Sequence, residues 1–111
     1  MAGKSPTENS LAVLRAQGYT CWITEKWQPF PPPGHRVDMF NCIDIIALGD
    51  NEVLFVQTTS GSNVSARVKK IAENEYLEAM RKAGVRIEVH GWTGKKVGRR
   101  TDYKQRIVDI S

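Results

Sequence analysis

The sequence predicts an α/β fold, a mixed central β-sheet flanked by helices, with elements in the order α-β-β-β-α-β. Three observations lead there. A strongly apolar stretch, 39–48, runs into the turn Gly49-Asp50-Asn51 and a second apolar stretch, 53–56, which together read as an antiparallel hairpin. A long stretch, 64–83, carries apolar residues at three- and four-residue spacing, the signature of an amphipathic helix. A segment of two-residue alternation, 85–92, follows directly, so the helix reads as a crossover between parallel strands.

The remaining elements follow in order. The first is a helix ending at Gln17, capped by Thr7 or Ser10, with acidic Glu8 near its start and Leu11, Val13 and Leu14 as its apolar residues. Gly18 is its stop. Residues 19–27 are rich in β-branched and aromatic side chains and read as a strand, with Cys21, Ile23 and Glu25 on one face and Trp22, Thr24 and Lys26 on the other. Pro29 and Pro31, Pro32 and Pro33 then exclude a central strand and give an extended loop. Residues 39–48 read as a strand buried on both faces, and 53–56 as its return strand, running on into Gln57-Thr58-Thr59. Residues 60–63 break the strand and offer helix caps. Residues 93–102 read as a flexible basic loop, and 103–110 as a final edge strand.

At 111 residues the chain is expected to be one domain, 1–111, with a few flexible residues at its N-terminus. No apolar run approaches the roughly 20 residues that span a bilayer. The first residues, Met1 to Pro6, lack an apolar signal core, so a cytoplasmic protein without a membrane partner is expected. Cys21 and Cys42 form no C-x-x-C pair, and His35 and His90 lack metal-finger spacing, so two buried free thiols are expected and a structural zinc site is not.

The formal net charge is +4. Its distribution is more informative. Lys95, Lys96, Arg99, Arg100, Lys104 and Arg106 crowd the C-terminal part with Asp102 as the only acid among them, and Arg67, Lys69 and Lys70 form a second group. Both groups read either as solvated surface or as contacts to nucleic-acid phosphates. The polar run Thr58 to Asn63 lacks the P-loop pattern, so nucleotide binding is not expected. Trp22, Trp27 and Trp92 read as packing residues or base-stacking platforms, and His90 as a strand histidine or a general base.

One acid, Asp44, sits inside the most apolar strand, between Ile43 and Ile45. A buried carboxylate needs a cation or a set of donors. Asp38 shares its parity if the strand is regular, and Gln57 lies about as far beyond the turn as Asp44 lies before it. Oxygen ligands from paired strands suit Mg²⁺. Alternatively, Asp44 is a structural acid satisfied by backbone amides.

The run Ile43-Asp44-Ile45-Ile46, a hairpin, and then Val56-Gln57-Thr58-Thr59 resembles the PD-(D/E)XK nuclease core. In that superfamily an Asp opens the active-site hairpin, an acid or sometimes Gln follows about a dozen residues later, and a Lys comes two after that. The element order matches the restriction-endonuclease-like core. The resemblance covers roughly residues 8–92 and is closest to small Holliday-junction-resolvase-like and phage or mobile-element members. It implies a Mg²⁺- or Mn²⁺-dependent endonuclease acting on DNA rather than RNA, with branched DNA among the candidate substrates, and a homodimer. Asp44 would bind the metal, Gln57 would ligate it through its amide oxygen, Thr58 through its backbone carbonyl, and Asp38 would assist. Thr59 stands where the superfamily has its catalytic Lys and cannot act as a cation. Lys70, Lys69 or Lys26 would replace that charge, and Glu25 or Glu8 would add a carboxylate. Arg67, Lys69, Lys70, Lys95, Lys96, Arg99 and Arg100 would hold the nucleic-acid backbone. A nuclease-fold module that binds without cutting is the alternative. A third reading has the 53–56 region and the C-terminal edge strand pairing with a second chain.

Overall fold

The computed structural model describes residues 4–111. Helix α1 (Pro6–Ala16) is followed by strands β1 (Thr20–Ile23), β2 (Lys26–Gln28), β3 (His35–Val37), β4 (Ile45–Gly49) and β5 (Glu52–Ser60). A short 3-10 turn (Gly61–Asn63) leads into helices α2 (Val64–Ala72) and α3 (Leu77–Lys82), and the chain closes with β6 (Arg86–Val97) and β7 (Arg100–Asp109). Five strands form one mixed sheet in the order β1-β4-β5-β6-β7, and β2 and β3 form a separate two-stranded ribbon. All neighbours in the main sheet are antiparallel except β5 and β6, which run parallel as the crossover pattern predicts.

The two faces of the sheet hold two apolar clusters, as strand alternation requires. On one face Leu11 and Leu14 of α1 pack on Ile45, Ala47, Leu54 and Val56. On the other Val64, Ile71, Leu77 and Met80 of α2 and α3 pack on Cys42, Ile43, Ile87 and Val89, with Phe55 against them. Burying each such side chain contributes about 1.5–3 kcal/mol, so the two clusters dominate the stability of the sheet.

Several boundaries differ from expectation, each for a local reason. Helix α1 starts earlier, because Ser5 Oγ accepts from the Glu8 amide at 3.1 Å and Pro6 supplies a preset first residue, displacing Thr7 and Ser10 as caps. The strand expected over 19–27 is two pieces: β1 joins the sheet, and β2 turns away after Thr24 to pair with β3. The strand expected over 39–48 begins only at Ile45, because Phe40 and Asn41 adopt left-handed backbone conformations (φ 53° and 63°) and turn the chain back on itself. The helix expected over 64–83 breaks at residues 73–76, where Asn74 accepts from the Tyr76 amide at 2.7 Å and donates to the Phe40 carbonyl at 2.9 Å. Such local side-chain bonds compete with the helix ladder.

Residues 93–102 are not a loop. They are the continuation of β6, a two-residue turn at Gly98 and Arg99, and the start of β7. Gly98 takes φ +64°, as the first central residue of a tight hairpin turn requires. The 53–56 segment lies in β5, hydrogen-bonded to β4 and β6 on its two sides, so it offers no edge to a second chain; β1 and β7 are the edges. Cys42 is a buried free thiol, and Cys21 is free but only partly buried. The expectation of a flexible N-terminus falls largely on residues 1–3, outside those described. No helix among the described residues is long and apolar enough to cross a membrane.

Candidate functional site

Asp44 is the residue just before β4, and both its backbone groups are held. Its amide donates to the Val56 carbonyl at 2.9 Å, and its carbonyl accepts from the Thr24 amide at 2.9 Å. The acid is thereby fixed between β1 and β5 at one end of the sheet. Its side chain is almost fully buried. Three donors converge on Oδ2: the Thr58 amide at 2.8 Å, Thr58 Oγ1 at 3.2 Å and Gln57 Nε2 at 3.3 Å. Among the described residues no donor reaches Oδ1 from a backbone or amide nitrogen.

Gln57 and Thr58 approach from opposite sides of the sheet. Leu54 and Val56 of β5 belong to the α1 face and Phe55 to the α2 face, so by alternation Thr58 faces α1 and Gln57 faces α2. Thr58 accordingly pairs with Thr7 of α1, hydroxyl to hydroxyl, at 2.8 Å. Gln57 spends its amide nitrogen on Asp44 and keeps its Oε1 buried, without a partner among the described residues. The reverse amide orientation would set Oε1 against the carboxylate, so this one is electrostatically fixed.

Asp38 is the second carboxyl of the cleft, close enough to Asp44 for the two charges to act on each other. Burial, then the charges of Asp44 and Glu25, push its carboxyl up to about 6, while Lys70 pulls the other way. Two carboxyls this close cannot both ionise freely without a compensating cation. Burial raises the neighbouring Cys42 thiol to about 11, again opposed by Lys70. That thiol is a packing group rather than a nucleophile.

These groups line a cleft of about 470 Å³. Asp38, Asp44, Gln57 and Thr58 form its floor, Ser5 to Glu8 of α1 one wall, and Glu25 and Arg36 another, with Arg67 of α2 as a further cation. Glu25 pairs with Arg36 at 3.1 Å. Among the described residues no three His, Cys, Asp or Glu side chains form a metal-ligand cluster.

The sequence-predicted site residues therefore divide. Asp44, Gln57, Thr58, Asp38, Glu25, Glu8 and Arg67 come together in the cleft. Thr58 enters the site through its backbone amide and hydroxyl, both of which donate to Asp44. Thr59 is buried beside Gly91 of β6 and does not line the cleft. Lys70, Lys69 and Lys26 do not line it either, although the charge of Lys70 reaches Asp38. Asp38 meets Asp44 through the Phe40–Asn41 turn and not through alternation along one strand. Lys95, Lys96, Arg99 and Arg100 lie on the β6–β7 hairpin.

One polar network escaped sequence reasoning. Ser10 of α1 accepts from Trp92 Nε1 at 2.8 Å and pairs with His90 Nδ1 at 3.0 Å, while His90 Nε2 bonds Glu88 at 2.9 Å. Ser10 and His90 are almost completely buried, which denies this Ser-His-Glu arrangement a substrate and makes it a pin between α1 and β6. Its only sequence signal is two polar-tipped rings, His90 and Trp92, at alternate positions of an apolar strand.

Compared with family models, with curated proteins and with solved structures, the chain matches none of them.

Proposed function

We propose that this chain is a metal-dependent DNA endonuclease of the PD-(D/E)XK kind, hydrolysing phosphodiester bonds in the cleft around Asp44. One observation carries the reading: Asp38 and Asp44 bring two interacting carboxyls to one cleft, with Gln57 and its unpartnered Oε1 packed beside Asp44. Two carboxylates in an open cleft fit a hard divalent cation such as Mg²⁺ or Mn²⁺ and leave room for the waters it keeps. The order α1, three antiparallel strands, α2 and α3, then a parallel strand supports the restriction-endonuclease-like assignment.

In this reading Asp44, oriented by Thr58 and Gln57, and Asp38 would hold the ion, and Gln57 would add its amide oxygen. A bound ion would polarise a phosphate oxygen and lower the pKa of a water. Arg67, on the cleft wall, draws the phosphate in and stabilises charge that develops in the transition state, the part that Thr59 cannot take.

The burial of Thr59 favours a second reading, a nuclease-fold module that binds nucleic acid without cutting it. Incubation with supercoiled, linear and four-way-junction DNA, in Mg²⁺ or Mn²⁺, separates the two. Cleavage lost in Asp44→Ala and strongly reduced in Arg67→Gln supports the endonuclease. Cleavage that survives Asp44→Ala overturns the site, and binding without cleavage in either metal selects the second reading.

A further inference from the structure

The β6–β7 hairpin extends beyond the globule, and its cations are sorted by face. The ladder is unbroken from the Glu88–Asp109 pair to the Val97–Arg100 pair, so alternation holds along its length. Trp92 bonds Ser10 on the α1 side, and Gly91 lies against Val64 on the α2 side. Lys96 therefore projects on the α1 side. Lys95 projects on the α2 side, together with Arg100, Lys104 and Arg106 of β7. All four are exposed. Asp102 is the single acid on that face, and it pairs with Arg100 at 3.2 Å.

The β5 ladder ends at the Ser60–Trp92 pair and Thr93 still lies against Gly61, so residues 94–97 with their β7 partners form the projecting tip, about 13 Å long at the usual strand rise. The radius of gyration, 14.7 Å, exceeds the roughly 13 Å of a compact chain of this length, as a projecting element requires. The hairpin is stiffened from within: Tyr103 lies across Gly94, in contact with the position a Cβ would take. Asp102 stands opposite Lys95 and pairs with Arg100, which offsets one positive charge and leaves the face with a net excess of cations. The direction of the hairpin is informative. It leaves the sheet from the end that holds the acid cleft, since β5 and β6 run parallel and Gln57 and Thr58 lie near the end of β5. The cationic face is also the α2 side, the side of Gln57 and Arg67.

We infer that this hairpin enters the major groove of B-form duplex DNA tip first, with Lys95 and Arg100 on the tip and Lys104 and Arg106 at the base of the same face toward the nucleic acid, holding the duplex across the cleft. The inference rests on the nucleic-acid reading of the cleft but not on catalysis. The major groove of B-DNA, about 12 Å wide, admits a two-stranded β-ribbon. The deep, narrow major groove of A-form RNA does not. A single strand offers no groove at all.

Binding in EDTA tests the hairpin apart from the metal site. Fluorescence anisotropy would follow a labelled DNA duplex, an RNA duplex and single-stranded DNA across salt, with circular dichroism verifying the fold of each variant. Four phosphate contacts change the salt slope by about 0.9 each, so between about 50 and 200 mM salt wild-type affinity for duplex DNA should fall about a hundredfold more than that of a variant with all four residues changed to Gln. Lys95→Gln alone should reduce the slope by about one, and Lys96→Gln, one residue along on the other face, should leave it unchanged. Equal effects of Lys95→Gln and Lys96→Gln would overturn the assignment of the face. Equal affinity for single-stranded DNA or the RNA duplex would overturn the groove. An unchanged slope in a folded fourfold variant would overturn the hairpin's role while leaving the Asp44 cleft, read by cleavage, untouched.

Discussion

Gln57 donates its side-chain amide to Asp44 Oδ2 at 3.3 Å and leaves its own Oε1 buried without a partner among the described residues. A buried unsatisfied carbonyl costs about 1–3 kcal/mol, a penalty that an ion or a water at that point would remove. Gln57→Glu tests this. It sets a third carboxylate beside Asp44 and Asp38, so the metal-free protein should melt at a lower temperature than wild type. Added Mg²⁺ should recover more of the loss in the variant than it adds to wild type. Calorimetry in EDTA and in Mg²⁺ reads both, and an equal response to Mg²⁺ would count against oxygen ligation at this position.

Asp44 also has a structural part, because it satisfies the Thr58 amide at 2.8 Å. Asp44→Ala leaves that amide without its acceptor and should cost about 1–3 kcal/mol. Asp44→Asn retains a side-chain oxygen for the amide and should cost less, while losing the charge an ion needs. Denaturant melts of the two variants, compared with their cleavage rates, separate folding from chemistry: both should be inactive, and only the alanine variant clearly destabilised.

Asp38 sets a pH dependence. Its carboxyl is raised from 3.8 to about 6, first by burial and then by Asp44 and Glu25, so the folded state holds the proton more tightly than the unfolded chain does. The stabilising contribution is therefore complete below about pH 4 and is lost as pH rises through about 6. Thermal midpoints of the metal-free protein should carry this downward component, and Asp38→Asn should remove it. A wild-type profile identical to that of Asp38→Asn would refute the coupling. Because an ion displaces the proton, Mg²⁺ affinity should rise over the same window.

The Ser10–His90–Trp92 network predicts a purely structural effect. Ser10→Ala removes the acceptor of the part-buried Trp92 indole and one of the two partners of His90 Nδ1, which keeps Gln105 at 3.3 Å, so it should cost about 1 kcal/mol. DNA affinity and cleavage measured well below the melting temperature should stay at wild-type level. A loss of cleavage without a loss of stability would give this network a functional role instead.

The hairpin on either side of Asp50 and the parallel return through β6 were legible because both rest on local patterns: turn residues between apolar runs, and a helical period followed by a strand period. The opposition of Asp44 and Gln57 was legible for the same reason, since a two-residue turn sets the register of its strands. The meeting of Asp38 with Asp44 was legible only by accident. Parity on a regular strand suggested it, and a left-handed turn at Phe40 and Asn41 produced it. The break at Asn74 and the pin at Ser10 lie further out of reach, because their partners are 34 and 80 residues away.

The basic segment 93–102 shows the same division. Composition gave its charge, but its glycines and lysines read as a loop, since no apolar face marks a strand that leaves the globule. By itself the sequence determined the class of fold, the presence of one acid within the apolar run that enters a hairpin, and an excess of cations near the C-terminus. Tertiary structure alone decided that Thr59 turns away from the cleft, that Arg67 lines it, and that four of the C-terminal cations share one face of the β6–β7 hairpin. Local periodicity specifies which residues are buried. Which polar groups meet depends on loop conformation and strand register over long separations, where no periodic signal reaches.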